Sequence, residues 1–204
     1  MNTNKIITIT AGHSNTDPGA VNGKAREADI AVDMRNMVAY YLERKNITIR
    51  TDGKGKNNQP LSTALKLIAG SAVAVEFHCN SALNKTARGV EALAQAKDKL
   101  LCQKLCKAVS GVLKNPLRGD NGYQPENAGQ YNHLSFVRHG GIILEMFFIS
   151  NDAELAAWEA TKWLVAKAVA EVLAAEVQPI PLKPIEIPLE PTSGEDLLLA
   201  ENAE

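Results

Sequence analysis

Four short apolar runs, each divided from the next by residues of another period, constrain this chain most. "KIITITA" at 5–11, "NITIRT" at 46–51, "SAVAVEFHCN" at 71–80 and "GIILEMFFIS" at 141–150 are rich in Ile, Val, Thr and Phe. Each is bounded by polar or turn-forming residues and reads as a strand. Over about 26–44 the period changes: Ile30, Met34, Met37, Val38, Tyr41 and Leu42 fall at helical spacing. Further helices are expected over about 62–70, with Ser62 as N-cap, and over 92–114, with Leu93, Leu100, Leu101, Leu105, Val109, Val112 and Leu113 on one side. The segment 151–176 predicts another helix, capped by Asn151 or Asp152 and carrying acids in its first turn. Strands alternating with helices predict an α/β fold, a single domain with a mostly parallel twisted sheet and helices on both faces. That domain is expected to span 1–176. The remainder, 177–204, holds more than half of the nine prolines and predicts an extended, polyproline-like tail. Residues 115–140, rich in Asn, Gly, Pro, Gln and His, read as a long irregular loop.

Hydrophobic residues make up 45% of the chain, enough for a sizeable core. A net charge of −1 leaves no basic footprint for nucleic acid and no field toward an anionic membrane. Three cysteines without clustered spacing argue against a disulfide scaffold. Cys102 and Cys106 lie four apart in an apolar helix face and read as buried free thiols. The N-terminal apolar run is too short for a signal peptide, and no run approaches the 18 or so residues of a membrane span. Synthesis in the cytoplasm is therefore expected, as is a monomer.

In open parallel sheets, ligands bind outside the carboxyl ends of the strands. His13 follows the first strand here, His78 closes the third and Glu145 lies in the fourth. Glu27 opens the first long helix, which must start near the same rim. Two imidazoles and a carboxylate, with one position open to water, form the ligand set of a catalytic zinc site. Each residue also has an ordinary reading. His13 could be an exposed loop histidine, His78 a hydrogen-bonded core histidine and Glu27 a partner of the helix dipole. Glu145, inside "IILEMFF", is the least comfortable, because an unpaired buried carboxylate is costly. Glu76 shares a strand face with His78, where it could orient the imidazole or pair with a surface lysine.

The series "AGHSNTDPGA", "READIAVDM", "VEFHCNSALNKTARGVEAL" and "IILEMFFISN" resembles the zinc-dependent N-acetylmuramoyl-L-alanine amidases, catalytic domains of cell-wall hydrolases and phage endolysins. The resemblance runs from about residue 5 to 170. It implies one zinc ion held by His13, Glu27 and His78, with Glu145 as the catalytic residue rather than a ligand. The substrate it implies is peptidoglycan, cut between N-acetylmuramic acid and L-alanine. Two departures stand out: Ser14-Asn15 replaces a frequent Gly-Gly, and Glu76 stands where Ser is frequent. In the 115–140 loop, Tyr123 or Tyr131 could stack on a glycopeptide. His133 and His139 there read as structural or substrate-facing. A zinc peptidase cutting the stem peptide, or a module that binds wall fragments without turnover, are the rival readings. A wall enzyme without its own export signal fits a phage or prophage lysin that acts on the wall after release.

Overall fold

The computed structural model of the chain describes residues 5–126 and 134–178. Tyr131, His133 and the Pro-rich tail from 179 onward lie outside these residues. Strand β1 (Ile7–Ala11) leads into a small hairpin, β2 (Val21–Asn22) and β3 (Ala25–Arg26), and then helix α1 (Glu27–Glu43). There follow β4 (Ile49–Thr51), α2 (Leu61–Ile68), β5 (Val73–Asn80), β6 (Glu91–Ala94), a 3-10 turn (Ala96–Asp98) and α3 (Lys99–Leu113). The chain continues through β7 (Tyr123–Pro125), α4 (Ser135–Arg138), β8 (Ile142–Phe148) and α5 (Asp152–Val177). The main sheet has six strands in the order β4-β1-β5-β8-β6-β7. Only the β6–β8 pair is antiparallel. The α/β sheet anticipated from the strand–helix alternation is therefore present.

Alternation along each strand divides the sheet into two unlike faces. Ile7, Ile9 and Ala11 of β1, Val75 and Phe77 of β5, and Ile142 and Leu144 of β8 enter the main core, which α1, α3 and α5 cover. Trp158 of α5, fully buried, stacks on Phe147 at 5.5 Å. Among the described residues, the opposite face carries only α2 and α4, packed over Ala74, Leu93 and Ile143. These helices are short, and β5, β6 and β8 run on past them toward the rim. The next residues on that face are Glu76 and His78, Glu91, and Glu145.

Three local expectations change. Helix α2 begins at Leu61 behind Pro60, and Ser62 does not cap it. Pro60, with φ −66°, lends its carbonyl to the Thr63 amide and opens the first turn without a side chain. The segment expected to be helical from 92 starts instead with strand β6, and the α-helix begins at Lys99. Alanines favour helix, but "EALA" sits between β8 and β7 with every residue buried, so tertiary pairing overrides propensity. The 115–140 stretch contains β7 and α4 rather than irregular loop throughout. Asn151 caps α5, accepting from the Ala153 and Glu154 amides at 3.0 and 3.2 Å. The three cysteines are free and buried, and burial pushes the Cys102 thiol up to about 12.

A fully buried ion pair fixes the β1 end of the rim. Arg35 of α1 meets Asp52 at 3.1 Å, and Asp52 also accepts from the Ala11 amide at 3.3 Å. The same guanidinium donates to the Asn57 carbonyl at 2.9 Å. Truncating one partner of such a pair leaves the other charge buried and alone. Arg35→Ala is expected to lower unfolding free energy by about 3–5 kcal/mol in denaturant titration, against less than about 0.5 kcal/mol for the exposed Arg44→Ala.

Candidate metal centre

At the carboxyl end of β1, Gly12 donates to the Phe77 carbonyl at 2.9 Å and the chain turns sharply. His13 takes φ +66°, a left-handed conformation that costs an L-residue about 1–2 kcal/mol. The turn is held by Ser14, whose hydroxyl accepts from the Asp17 amide at 3.1 Å. It is held from the other side by Asn58, which donates to the Gly12 carbonyl at 2.9 Å. The loop then caps α1: the Pro18 and Ala20 carbonyls accept from the Ala28 and Glu27 amides. No side chain caps this helix, so backbone carbonyls satisfy its first donors. This brings His13 and Glu27 together.

Glu27 is 4% exposed and is the centre of the cluster. Its Oε2 lies 2.9 Å from His13 Nε2 and accepts from the Ala20 amide at 2.9 Å. Its Oε1 lies 3.0 Å from His78 Nδ1 and accepts from the Cys79 amide at 3.0 Å. The imidazoles cross edge to face at 5.1 Å. Each uses its second nitrogen on another carboxylate: His13 Nδ1 on Asp17 at 3.0 Å, His78 Nε2 on Glu76 at 3.1 Å. One donor atom from each of His13, Glu27 and His78 lies within 4.8 Å of the others, so the three could hold a metal ion. The backbone is drawn in equally closely. A Cβ on Gly12 would fall 2.2 Å from the His78 ring, and one on Gly19 would fall 2.5 Å from His13 Nε2 and 2.7 Å from Glu27 Oε2.

Glu145 stands beside His78, its register partner on the neighbouring strand. It is 9% exposed, and its Oε2 has no hydrogen-bond partner. Burial raises its pKa to about 7, helped by the charges of Glu27 and Glu91 and opposed by the imidazoles. Across β6, Glu91 accepts from Asn80 at 2.6 Å and from Gln124 at 3.1 Å. Burial works against the charge of Glu27, but the two imidazoles outweigh it and hold the carboxyl well below its usual range. Burial likewise opposes charge on both histidines, and their carboxylate partners overcome it and raise both pKa values.

Four carboxyl groups around two imidazoles suit a dication, and nitrogen and oxygen donors without thiolate suit zinc among the divalent metals. His13, Glu27, His78 and Glu145, the metal-ligand and catalytic candidates from sequence, thus meet at one rim, with Glu76 on the far nitrogen of His78. Tyr123 does not fill its expected role. It is 9% exposed, part of the main core, with the Lys99 ammonium 5.8 Å from its ring centroid, so it offers no stacking face. His139 donates locally, Nδ1 to the Ser135 carbonyl at 2.7 Å. Asp17, Gly19 and Glu91 were not singled out for the site. For Asp17 a signal existed, in a carboxylate four residues after His13 within the same turn.

The sequence profile of the N-acetylmuramoyl-L-alanine amidase family matches residues 7–175. The chain belongs to this family. The amidase is 55% identical to a Neisseria meningitidis chain provisionally described as an N-acetylmuramoyl-L-alanine amidase. That match covers 85% of this chain and 96% of the other, with a TM-score of 0.79. The fold is shared with the catalytic domain of CwlV, an N-acetylmuramoyl-L-alanine amidase from Bacillus (Paenibacillus) polymyxa, at 21% identity, TM-score 0.72 and coverage of 84% and 97%. It recurs in the catalytic domain of the CD27L endolysin, which targets Clostridia difficile, at 15% identity, TM-score 0.61 and coverage of 85% and 96%. Among curated protein sequences none is a significant match.

Two outcomes follow for this amidase. Gly19→Ala forces a methyl group between His13 and Glu27 at a φ of +65°, and is expected to weaken metal retention at least tenfold on dialysis against chelator. The raised histidine pKa values give the metal-free fold stability that is complete below their ordinary 6.5 and lost as pH rises through the folded values. The depressed Glu27 gives stability complete above its ordinary 4.5 and lost only in stronger acid. In chelator-treated protein the contribution of the cluster is thus greatest between these values and declines above pH 6.5. Metal needs neutral imidazoles, so its affinity is expected to climb with pH, and titration calorimetry in buffers of different ionisation enthalpy should record protons released on binding.

Proposed function

We propose that the chain is a zinc-dependent N-acetylmuramoyl-L-alanine amidase in which His13, Glu27 and His78 hold the ion and Glu145 is the catalytic acid–base residue. The observation that carries the reading is Glu145: a buried carboxyl with an unpartnered oxygen, in register with His78. Binding alone gives no reason to keep such a group beside the cluster. Zinc, when bound, supplies a Lewis acid for the amide carbonyl and acidifies water at neutral pH.

Everything else falls to the protein. Glu145 takes a proton from the attacking water, whose oxygen bonds to the lactyl carbonyl carbon. It then delivers that proton to the nitrogen of L-alanine as the carbon–nitrogen bond breaks. One carboxylic acid and one free amine result. A pKa near 7 suits both directions of this transfer, and a dication alongside moves it lower. Asp17 and Glu76 accept from the outer imidazole nitrogens, which fixes the ring orientations and leaves the inner nitrogens facing Glu27. A cavity of about 330 Å³ is lined by the chain neighbours of two ligands, Ser14 after His13 and Arg26 and Ala28 around Glu27, and by Asn58. It is the place we assign to the stem peptide. The catalytic unit in this reading is 1–176, acting as a monomer. A lysin released onto the wall is the corresponding biological role, supported by the recurrence of the fold in an endolysin catalytic domain.

Glu145→Gln is expected to lower release of free L-alanine amino termini from purified peptidoglycan by about 10²–10⁴-fold while zinc content stays at one per chain. Mass spectrometry should show intact glycan strands in the wild-type digest. Normal turnover by the variant, or cleavage within the stem peptide, would overturn the assignment. Chelator should abolish clearing of a peptidoglycan suspension and zinc should restore it.

A further inference from the structure

The side of the molecule formed by α1 and α5 carries an aromatic cluster that the catalytic reading does not use. Tyr40 is 48% exposed and Trp163 52%, with Leu164 beside them also exposed. Tyr40, Tyr41 and Trp163 meet edge to face, with centroids 5.3 to 6.3 Å apart. The Arg44 guanidinium lies 5.6 Å over the Tyr40 ring. Next to it a groove of about 330 Å³ is lined by Asn36, Tyr40, Glu43, Thr51 and Lys54. Neither Arg44 nor Lys54 forms an ion pair with a described residue. Adjacent exposed rings with a flanking cation form the kind of surface that receives a polyproline II strand.

The chain carries such a strand in its own sequence. Residues 181–191 read "PLKPIEIPLEP", two PxxP units, 181–184 and 188–191, separated by Ile185, Glu186 and Ile187. A strand of this composition is pre-set for polyproline II and loses little entropy on docking. Helix α5 ends at Val177, and Gln178 leaves it with φ −77° and ψ 141°, a polyproline II conformation. Trp163 precedes Val177 by 14 residues, about 21 Å along the helix axis. At about 3.1 Å per residue, some seven residues of polyproline II span that distance, so the tail is long enough for the stretch around 184–191 to return to the rings. The charges are complementary as well: the sequence of the tail alternates Lys183 with Glu186 and Glu190, and the groove and its border hold Glu43 with Arg44 and Lys54.

We propose that residues 181–191 of the same chain dock on the Tyr40–Tyr41–Trp163 cluster as a polyproline II strand. The two tryptophans make this directly measurable, because Trp158 is fully buried and Trp163 is the one that a docked strand would cover. The test is acrylamide quenching of tryptophan fluorescence in the full chain and in a full-length variant carrying Ile185→Ser, Ile187→Ser and Leu189→Ser. Docking predicts a quenching constant roughly twofold higher in the variant, at every protein concentration, with the difference abolished by Trp163→Phe. Arg44→Glu should raise quenching in the otherwise intact chain, and Glu190→Arg should return it toward the original value. Equal quenching of the intact chain and the triple variant would overturn the proposal. So would protection that vanishes on dilution alongside a dimer in sedimentation, which would give the surface to a second copy.

Discussion

Both oxygens of Glu27 are shared between an imidazole and a backbone amide, and the arrangement of the rim follows from that fact. Its four partners come from two segments: the β1–α1 loop gives His13 and the Ala20 amide, and β5 gives His78 and the Cys79 amide. A carboxylate this buried is stable only when surrounded by donors, and here the donors are also the residues that could bind a metal. Fold and site are therefore not separable at this corner. Moving α1 along its axis would strand a charge as well as dismantle the cluster.

The two faces of the sheet explain why the site lies where it does. On one, three long helices cover every strand over a predominantly apolar core. On the other, α2 and α4 stop short, and β5, β6 and β8 present Glu76, His78, Glu91 and Glu145 beyond them. Polar residues at these positions would be intolerable under a third long helix. Glu91, seated between Asn80 and Gln124, keeps a second carboxylate on the strand next to Glu145 and contributes to the raised pKa of that residue.

Much of this was legible in the sequence, for reasons that differ by element. Strands β1, β5 and β8 are β-branched or aromatic runs with clear ends; His13 follows the first, Glu76 and His78 lie in the second and Glu145 in the third, ionisable residues that apolar runs rarely hold. Helix α5 announces itself by Asn151 and the acids after it. Strand β6 was not legible, because "EALA" is a helix former by composition and becomes a strand only through distant partners, β7 on one side and β8 on the other. Tyr123 misled for a related reason: its neighbours are polar, yet it packs inward beneath Lys99. The outer partners of the histidines were half legible, since Glu76 follows from strand alternation while Asp17 depends on how a turn closes.

The β1–α1 loop is tied down by groups outside the His13–Glu27–His78 cluster: Asn58 on the Gly12 carbonyl, Asn15 on the 56–58 backbone, and the Arg35–Asp52 pair behind them. The side chains of His13, Glu27 and His78 are accordingly held together by the fold itself. For a cation bound there, discrimination would rest on donor hardness and the fixed dimensions of the nest, with little help from loop rearrangement. Its binding would displace protons from a finished receptacle rather than assemble one.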